Sequence, residues 1–186
     1  TCTSVASAQF SNAAGLVPVT PLFTQVSPIC QGTVINLPTT SNNGISGSWS
    51  PVFNANSTAT YTFTPSVGEC ATTTNMTVVV YPRPIVVATP LAQSFCSGGT
   101  TNIQLSSNVP GAVFSWTATA TSITGQSSST GTTATSINQT LTLNAGTNLP
   151  AQVTYVVVAE ANGCASNPDT IVVTDNPIPD VIVSPT

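Results

Sequence analysis

A fixed series of landmarks occurs twice in this chain, and a tandem repeat narrows the possible folds more than any other feature. The first series runs Cys30, Trp49, Tyr61, Cys70 and Val78-Val79-Val80; the second runs Cys96, Trp116, Tyr155, Cys164 and Ile171-Val172-Val173. Cys to Trp spans 19 residues in one copy and 20 in the other, and Tyr to Cys spans nine in both. Thr33, Ile35 and Leu37 also match Thr101, Ile103 and Leu105. The 186 residues therefore form two domains, each short for a generous core and helped by a staple.

Alternation makes both domains β. Ile45, Gly47 and Trp49 alternate with serines, and Tyr61 and Phe63 alternate with threonines. Phe114 and Trp116 alternate with Val113, Ser115 and Thr117. Period two with one polar face is the pattern of antiparallel sheets. Fifteen prolines and an abundance of Thr, Val, Ser and Asn leave no helical window. Asn42-Asn43-Gly44, Val109-Pro110-Gly111 and Asn162-Gly163 supply turns, the last as a hairpin. Many short strands at this spacing predict β-sandwiches.

The copies differ between Trp and Tyr, which lie 12 residues apart in one and 39 in the other. Copy two should gain an additional strand or hairpin, with one good strand over 136–144, and a long Ser/Thr-rich loop over Gln126 to Thr135 whose blandest reading is slack. Prolines mark the joints, at Pro82-Arg83-Pro84 and at Pro177-Ile178-Pro179. Short Pro-x-Pro joints are semi-rigid spacers. Residues 21–83 and 84–178 are the expected whole repeats. Residues 1–20 read as the close of a preceding repeat, and 179–186 as the start of a following one. The chain reads as a fragment of a longer secreted protein, with no basic leader visible.

Charge excludes several functions. Only 3% of residues are charged, Arg83 is the single base, and there is no lysine or histidine. One arginine cannot neutralise a row of phosphates, so nucleic acid and anionic membranes are poor partners. No apolar run is long enough to span a bilayer, so membrane insertion is not expected. Without histidine or lysine there is no triad, imidazole metal site, Ser–Lys pair or Schiff base. Glu69 and Glu160 occupy equivalent places in separate copies and so do not form a glycosidase pair. No catalytic residue and no cofactor is expected. Asp175 and Asp180, with Asn176, are weak calcium candidates at a domain joint. Trp49 and Trp116, alternating with small polar residues in both copies, read as core anchors rather than sugar platforms. Asn56, Asn75 and Asn138 each open an N-glycosylation sequon, a frequent match by chance in so Thr- and Asn-rich a chain.

Five cysteines leave four to pair and one over. The simplest connectivity is one bridge within each copy, Cys30–Cys70 and Cys96–Cys164, with Cys2 unpaired or paired outside the fragment. Such bridges would close loops of 40 and 68 residues, worth about 4 kcal/mol each in the chain-entropy model. The rival is four buried thiols in a reducing compartment, although small Thr-rich β-domains with matched cysteines are typically secreted.

The Cys…Trp…Tyr…Cys order resembles an immunoglobulin-like domain, except that the second cysteine falls nine residues after the tyrosine rather than two. A bridge from there would pin one end of the sandwich instead of crossing its centre. The phrases Pro28-Ile29-Cys30-Gln31-Gly32-Thr33, Gly47-Ser48-Trp49-Ser50-Pro51, Thr60-Tyr61-Thr62-Phe63-Thr64-Pro65 and Gly68-Glu69-Cys70 resemble repeats of the giant SprB-type surface adhesins of gliding Bacteroidetes. Phe95-Cys96-Ser97-Gly98-Gly99-Thr100 with Asn162-Gly163-Cys164 resembles the PKD-like repeats of the same proteins. The resemblance implies type IX secretion, display at the outer surface, and movement along the cell during gliding. It also implies neighbouring repeats as partners, with surface polysaccharide or other adhesin components as further ones. Asp169-Thr170-Ile171 fits the Bacteroidetes O-glycosylation pattern, with Thr170 as acceptor. The expected architecture is thus all-β, a tandem of immunoglobulin/PKD-like antiparallel β-sandwiches joined by Pro-x-Pro linkers. Its expected role is a non-catalytic stalk. A polysaccharide-binding module using the 126–135 loop and a filament subunit are the alternatives.

Overall fold

A computed structural model describes residues 17–179, and they are all-β, with no helix among them. The chain divides at Pro82–Arg83 into two compact units. Cys2 and Asp180 lie outside the described residues, as does nearly all of the segment read as the start of a following repeat.

Unit 1 holds β1 (Ile29–Cys30), β2 (Gly47–Ser50), β3 (Ala59–Pro65), β4 (Thr74–Val78) and β5 (Val80–Tyr81). β2, β3 and β4 form an antiparallel sheet, and β1 runs parallel to β5. Alternation puts Tyr61, Phe63, Met76 and Val78 inward, where they are buried. The Phe23, Trp49 and Phe63 rings meet at centroid distances of 4.7 to 5.2 Å. The Trp49 indole N–H donates to the Pro38 carbonyl at 2.8 Å. The anchor reading holds for this tryptophan, which is half-buried in the cluster.

Two expectations change in unit 1. Val19 bridges Ala71 in parallel, and the Asn43 amide donates to the Thr20 carbonyl at 3.0 Å. These residues, read from sequence as the close of a preceding repeat, lie against unit 1. The Thr33, Ile35, Leu37 alternation forms no regular strand, and Ile35 and Leu37 are only half-buried.

Unit 2 is the fuller sandwich. It holds β6 (Val86–Thr89), β7 (Ala92–Cys96), β8 (Ile103–Ser107), β9 (Val113–Ala120), β10 (Ile123–Thr124), β11 (Ser129–Thr132), β12 (Ser136–Ile137), β13 (Thr142–Leu143), β14 (Ala151–Ala161), β15 (Cys164–Ala165) and β16 (Asp169–Asn176). One sheet orders β11-β9-β14-β16-β7, with β15 beside β14; the other orders β12-β8-β6. The chain leaves the smaller sheet for the larger at Pro90, between β6 and β7. Val86, Ala88, Ile103, Leu105 and Ile137 of the smaller sheet share one buried cluster with Phe114, Trp116, Tyr155, Val157 and Ile171 of the larger. Fully burying a side chain of this size is worth about 1.5–3 kcal/mol, so this shared layer is what holds the sandwich together. Asn162 and Gly163, with φ of 52° and 74°, close the predicted hairpin between β14 and β15.

The insertion of unit 2 carries more strand than the single good one expected over 136–144, and its loop is not slack. The stretch 136–144 splits into β12, paired with β8, and β13, paired with β10. The loop contains β11, an edge strand on β9. Gln139 explains both changes. Its side chain accepts from the Ser127 N–H at 2.9 Å and donates to the Ser127 carbonyl at 2.8 Å. It also accepts from the Tyr155 hydroxyl at 2.8 Å, while the Trp116 indole donates to the Ser127 carbonyl at 3.0 Å. Two landmark aromatics therefore fasten the insertion to the core.

Candidate functional site

Among the described residues, no group of three or more His, Cys, Asp or Glu is placed to hold a metal ion. Glu69 and Glu160 are both exposed, each beside its own hairpin. The carboxylate of Glu69 accepts from the Ser46 N–H at 3.3 Å. A groove of about 510 Å³ in unit 2 is walled by Ser122, Thr147, Leu149, Pro150 and Gln152, with neither a carboxylate nor an aromatic ring.

The calcium candidate at Asp175 is overturned by position. Asp175 faces inward on β16 and is completely shielded from solvent, so it is not a surface ligand at a joint. Neither carboxylate oxygen attains a hydrogen bond of good geometry. Burial pushes its pKa above 3.8, and the neighbouring Ser97 hydroxyl offsets only part of that rise. Tyr155 behaves likewise: burial raises its pKa to about 12, keeping the phenol a neutral donor to Gln139. Thr170 is exposed on β16, and Asp169 before it is anchored by the Ala88 N–H at 3.1 Å.

Both units share one feature, the pairing of the last strand with an early one. In unit 1 the incoming segment runs parallel to the outgoing one, with Val19 level with Ala71 and Cys30 level with Tyr81. Hydrogen bonds tie it at both ends: Val19 N–H to Cys70 O at 2.9 Å, and Gln31 N–H to Tyr81 O at 2.8 Å. Between them the Gln25 side-chain amide donates to the Thr77 carbonyl at 2.7 Å. In unit 2, β7 runs parallel to β16 over five rungs, from Ala92 opposite Val172 to Cys96 opposite Asn176. The Asn176 amide adds bonds to Ser94 Oγ at 2.8 Å and Phe95 O at 2.9 Å.

The cysteines follow this geometry, and the simplest pairing fails in both copies. Cys30, Cys70 and Cys164 are each disulfide-bonded, whereas Cys96 is a free, exposed thiol. Cys96–Cys164 is therefore not a bridge, and Cys164 has another partner. Cys30 sits level with Tyr81, while Cys70 is level with Val19 at the opposite end of the unit. Eleven residues of extended chain separate these levels, about 35 Å at ~3.3 Å per residue. A disulfide needs Cα atoms about 4.4–6.8 Å apart, so Cys30–Cys70 is excluded as well. The same spacing recurs in unit 2. Cys96 is level with Asn176, and Cys164 lies beside Ala161 at the far end of β14. Sequence order supplied the right landmarks; the parallel pairing of an early strand with the last, which sends them to opposite ends, was missed. Pairing of non-adjacent strands leaves no local signal.

Comparison with known proteins adds one family. Residues 93–179, just under half of the chain, match the family model of a PKD-like domain. No curated protein sequence matches the chain. Among solved structures, a three-immunoglobulin-domain fragment of titin in a Glu-to-Ala variant matches at 12% identity and a TM-score of 0.32. That match covers 66% of this chain and 42% of the titin fragment, so the chain spans less than half of that fragment's length.

Proposed function

We propose that this chain is a segment of a non-catalytic extracellular stalk, made of PKD-like and immunoglobulin-like β-sandwich repeats, which extends and bears load at a bacterial cell surface. The parallel pairing of an early strand with the last one in both units carries this reading: β1 with β5 in unit 1, and β7, which follows β6, with β16 in unit 2. When a unit is pulled by its two ends, these parallel strands are drawn past each other along their length, in unit 2 once β6 has parted from β8. The hydrogen bonds between them lie across the pull and are loaded together, instead of parting one at a time. Disulfide bonding of three cysteines supports an oxidising compartment, and the match to a PKD-like domain supports a structural module. The phrases resembling SprB-type adhesins point more finely to gliding motility or surface adhesion, with type IX secretion as the route.

Antibodies raised against the chain test the location. Labelling of intact, unpermeabilised cells is expected, and labelling only after permeabilisation would defeat the reading. The alternative of polysaccharide binding through residues 126–135 is weaker. That stretch holds no aromatic ring to stack on a sugar, and β11 fastens it to the sheet. Saturable glycan binding that disappears on deleting 126–135 would favour it.

A further inference from the structure

Two aspartates face inward on β16, and they are held differently. Asp169, at one end, accepts from the Ala88 N–H at 3.1 Å and from the Thr170 N–H at 3.0 Å, so its charge has donors where it lies. Asp175, at the other end, is completely buried, and neither of its oxygens has a partner of good geometry. A buried charge without donors costs far more than a neutral acid in the same place. Asp175 also sits where three strands stop together. It is the last residue but one of β16, and it is level with Ala151, the first residue of β14, and with Phe95, the last but one of β7. Among the described residues no cation faces it. Arg83, the single base, donates to the Ala165 carbonyl beside the β14–β15 hairpin. β14 carries Tyr155, which donates to Gln139, and Glu160 near its far end. β7 carries the Cys96 thiol, on the alternate side from Phe95. β6 and β13, which also pack against β16, carry no ionisable group. A few hydrogen bonds shut this corner. The Ser97 N–H donates to Asn176 O at 2.8 Å, the Asn176 amide to Ser94 Oγ and Phe95 O, and the Leu143 N–H to Ser97 Oγ at 2.8 Å.

We propose that Asp175 makes this end of the β7–β16 clamp a proton-operated catch. With the carboxyl neutral, the corner stays shut; with the carboxyl charged, the corner opens and the carboxylate meets water. The step is a proton transfer from the carboxyl to water, and no bond between heavy atoms changes. Opening releases only the few bonds of Ser97 and Asn176, whereas hydrating a charge in the middle of the sheet would part many rungs. The direction follows from burial, which raises the pKa of Asp175 above 3.8. Acid therefore closes the catch, and rising pH frees it. The Asp169 end, supplied with donors, stays paired throughout. The catch lies within the clamp that carries the load-bearing reading, yet its test applies no force, so either can fail without the other.

Amide exchange of the whole chain, followed by NMR from pH 4 to 8, tests the catch. Each rate is divided by that of the unfolded sequence at the same pH, which removes the intrinsic base catalysis of exchange. Protection of the Ser97 N–H should fall by at least about tenfold over that range, tenfold being one pH unit of linkage. The Val172 N–H, bonded to Leu91 O at 3.0 Å at the other end of the clamp, should lose much less. The fall at Ser97 should share its midpoint with the titration of the Asp175 carboxyl carbon, a comparison that needs no variant. In Asp175→Asn, protection at Ser97 should stay flat, at the level the unaltered chain shows in acid. Constant protection at Ser97 in the unaltered chain would overturn the proposal. So would an equal loss at Val172, because the whole unit would then weaken rather than one corner. Midpoints that differ, or an undiminished fall in Asp175→Asn, would overturn it as well.

Discussion

Asp175 is buried without a hydrogen-bond partner of good geometry, and its cost depends on pH. Its folded-state pKa lies above the ordinary 3.8, so the folded unit holds that proton more tightly than the unfolded chain does. Its contribution to stability is therefore greatest below the unfolded value and falls as pH rises through the folded one. Asp175→Asn should stabilise the chain at pH 7 by roughly 1–3 kcal/mol and flatten the decline of Tm between pH 4 and 7. Urea unfolding of both proteins across that range checks it, and parallel pH profiles would contradict it. Gly47 is the second sensitive residue. A Cβ there would run into the Thr64 carbonyl and the Phe63 ring, so Gly47→Ala should cost about 1–3 kcal/mol by overpacking. An unchanged thermal midpoint would count against the packing described. Alternation already placed Gly47 on the inner face with Ile45 and Trp49. That its missing side chain is the space occupied by the Phe63 ring was not legible, because the ring belongs to β3, the neighbouring strand.

At the scale of elements, what was legible in sequence is what local chemistry decides. Period-two alternation gave β3, β9 and the inward faces of Tyr61, Phe63, Phe114 and Trp116, all but fully buried. Asn162-Gly163 gave its hairpin because positive φ at both turn residues suits that pair. Asn43 adds to its turn by accepting from the Leu22 N–H at 2.9 Å and the Ser41 hydroxyl at 2.8 Å. Removing these bonds in Asn43→Ala should cost ~1–2 kcal/mol and loosen the incoming segment, read as faster amide exchange at Leu22. Exchange unchanged at Leu22 would contradict that. What was not legible is non-local. The 136–144 stretch alternates throughout, yet it changes partner midway because Gln139 is held by Ser127 and Tyr155. Thr33, Ile35 and Leu37 alternate as well as their counterparts in β8 but form no strand, and we have no physical account of that difference. The disulfide pairing failed for a related reason. Order along the chain says nothing about which ends of a unit two cysteines occupy, and parallel pairing of an early strand with the last puts them at opposite ones.

For the whole molecule, the account is mechanical. Unit 1 sets β1 beside β5 and parallel to it, and unit 2 sets β7, the strand after β6, beside β16 and parallel to it, so a pull on the ends of a unit shears the clamp, in unit 2 once β6 has parted from β8. Forced unfolding reads the barrier to breaking that clamp rather than equilibrium stability. In unit 2 the direction of pull can be changed by moving the points of attachment. Gln152 and Thr174 face each other on the outer side as a rung of the antiparallel β14–β16 pair. Handles at 152 and 174 would therefore peel those strands apart one rung at a time. The decisive measurement is single-molecule extension of the chain under reductant, first through the two ends of unit 2 and then through residues 152 and 174. The end-to-end pull should require a several-fold higher force, released in one step that adds roughly 3.5 Å per freed residue. Equal forces in the two directions, or a weaker end-to-end response, would contradict a stalk built on sheared parallel strands.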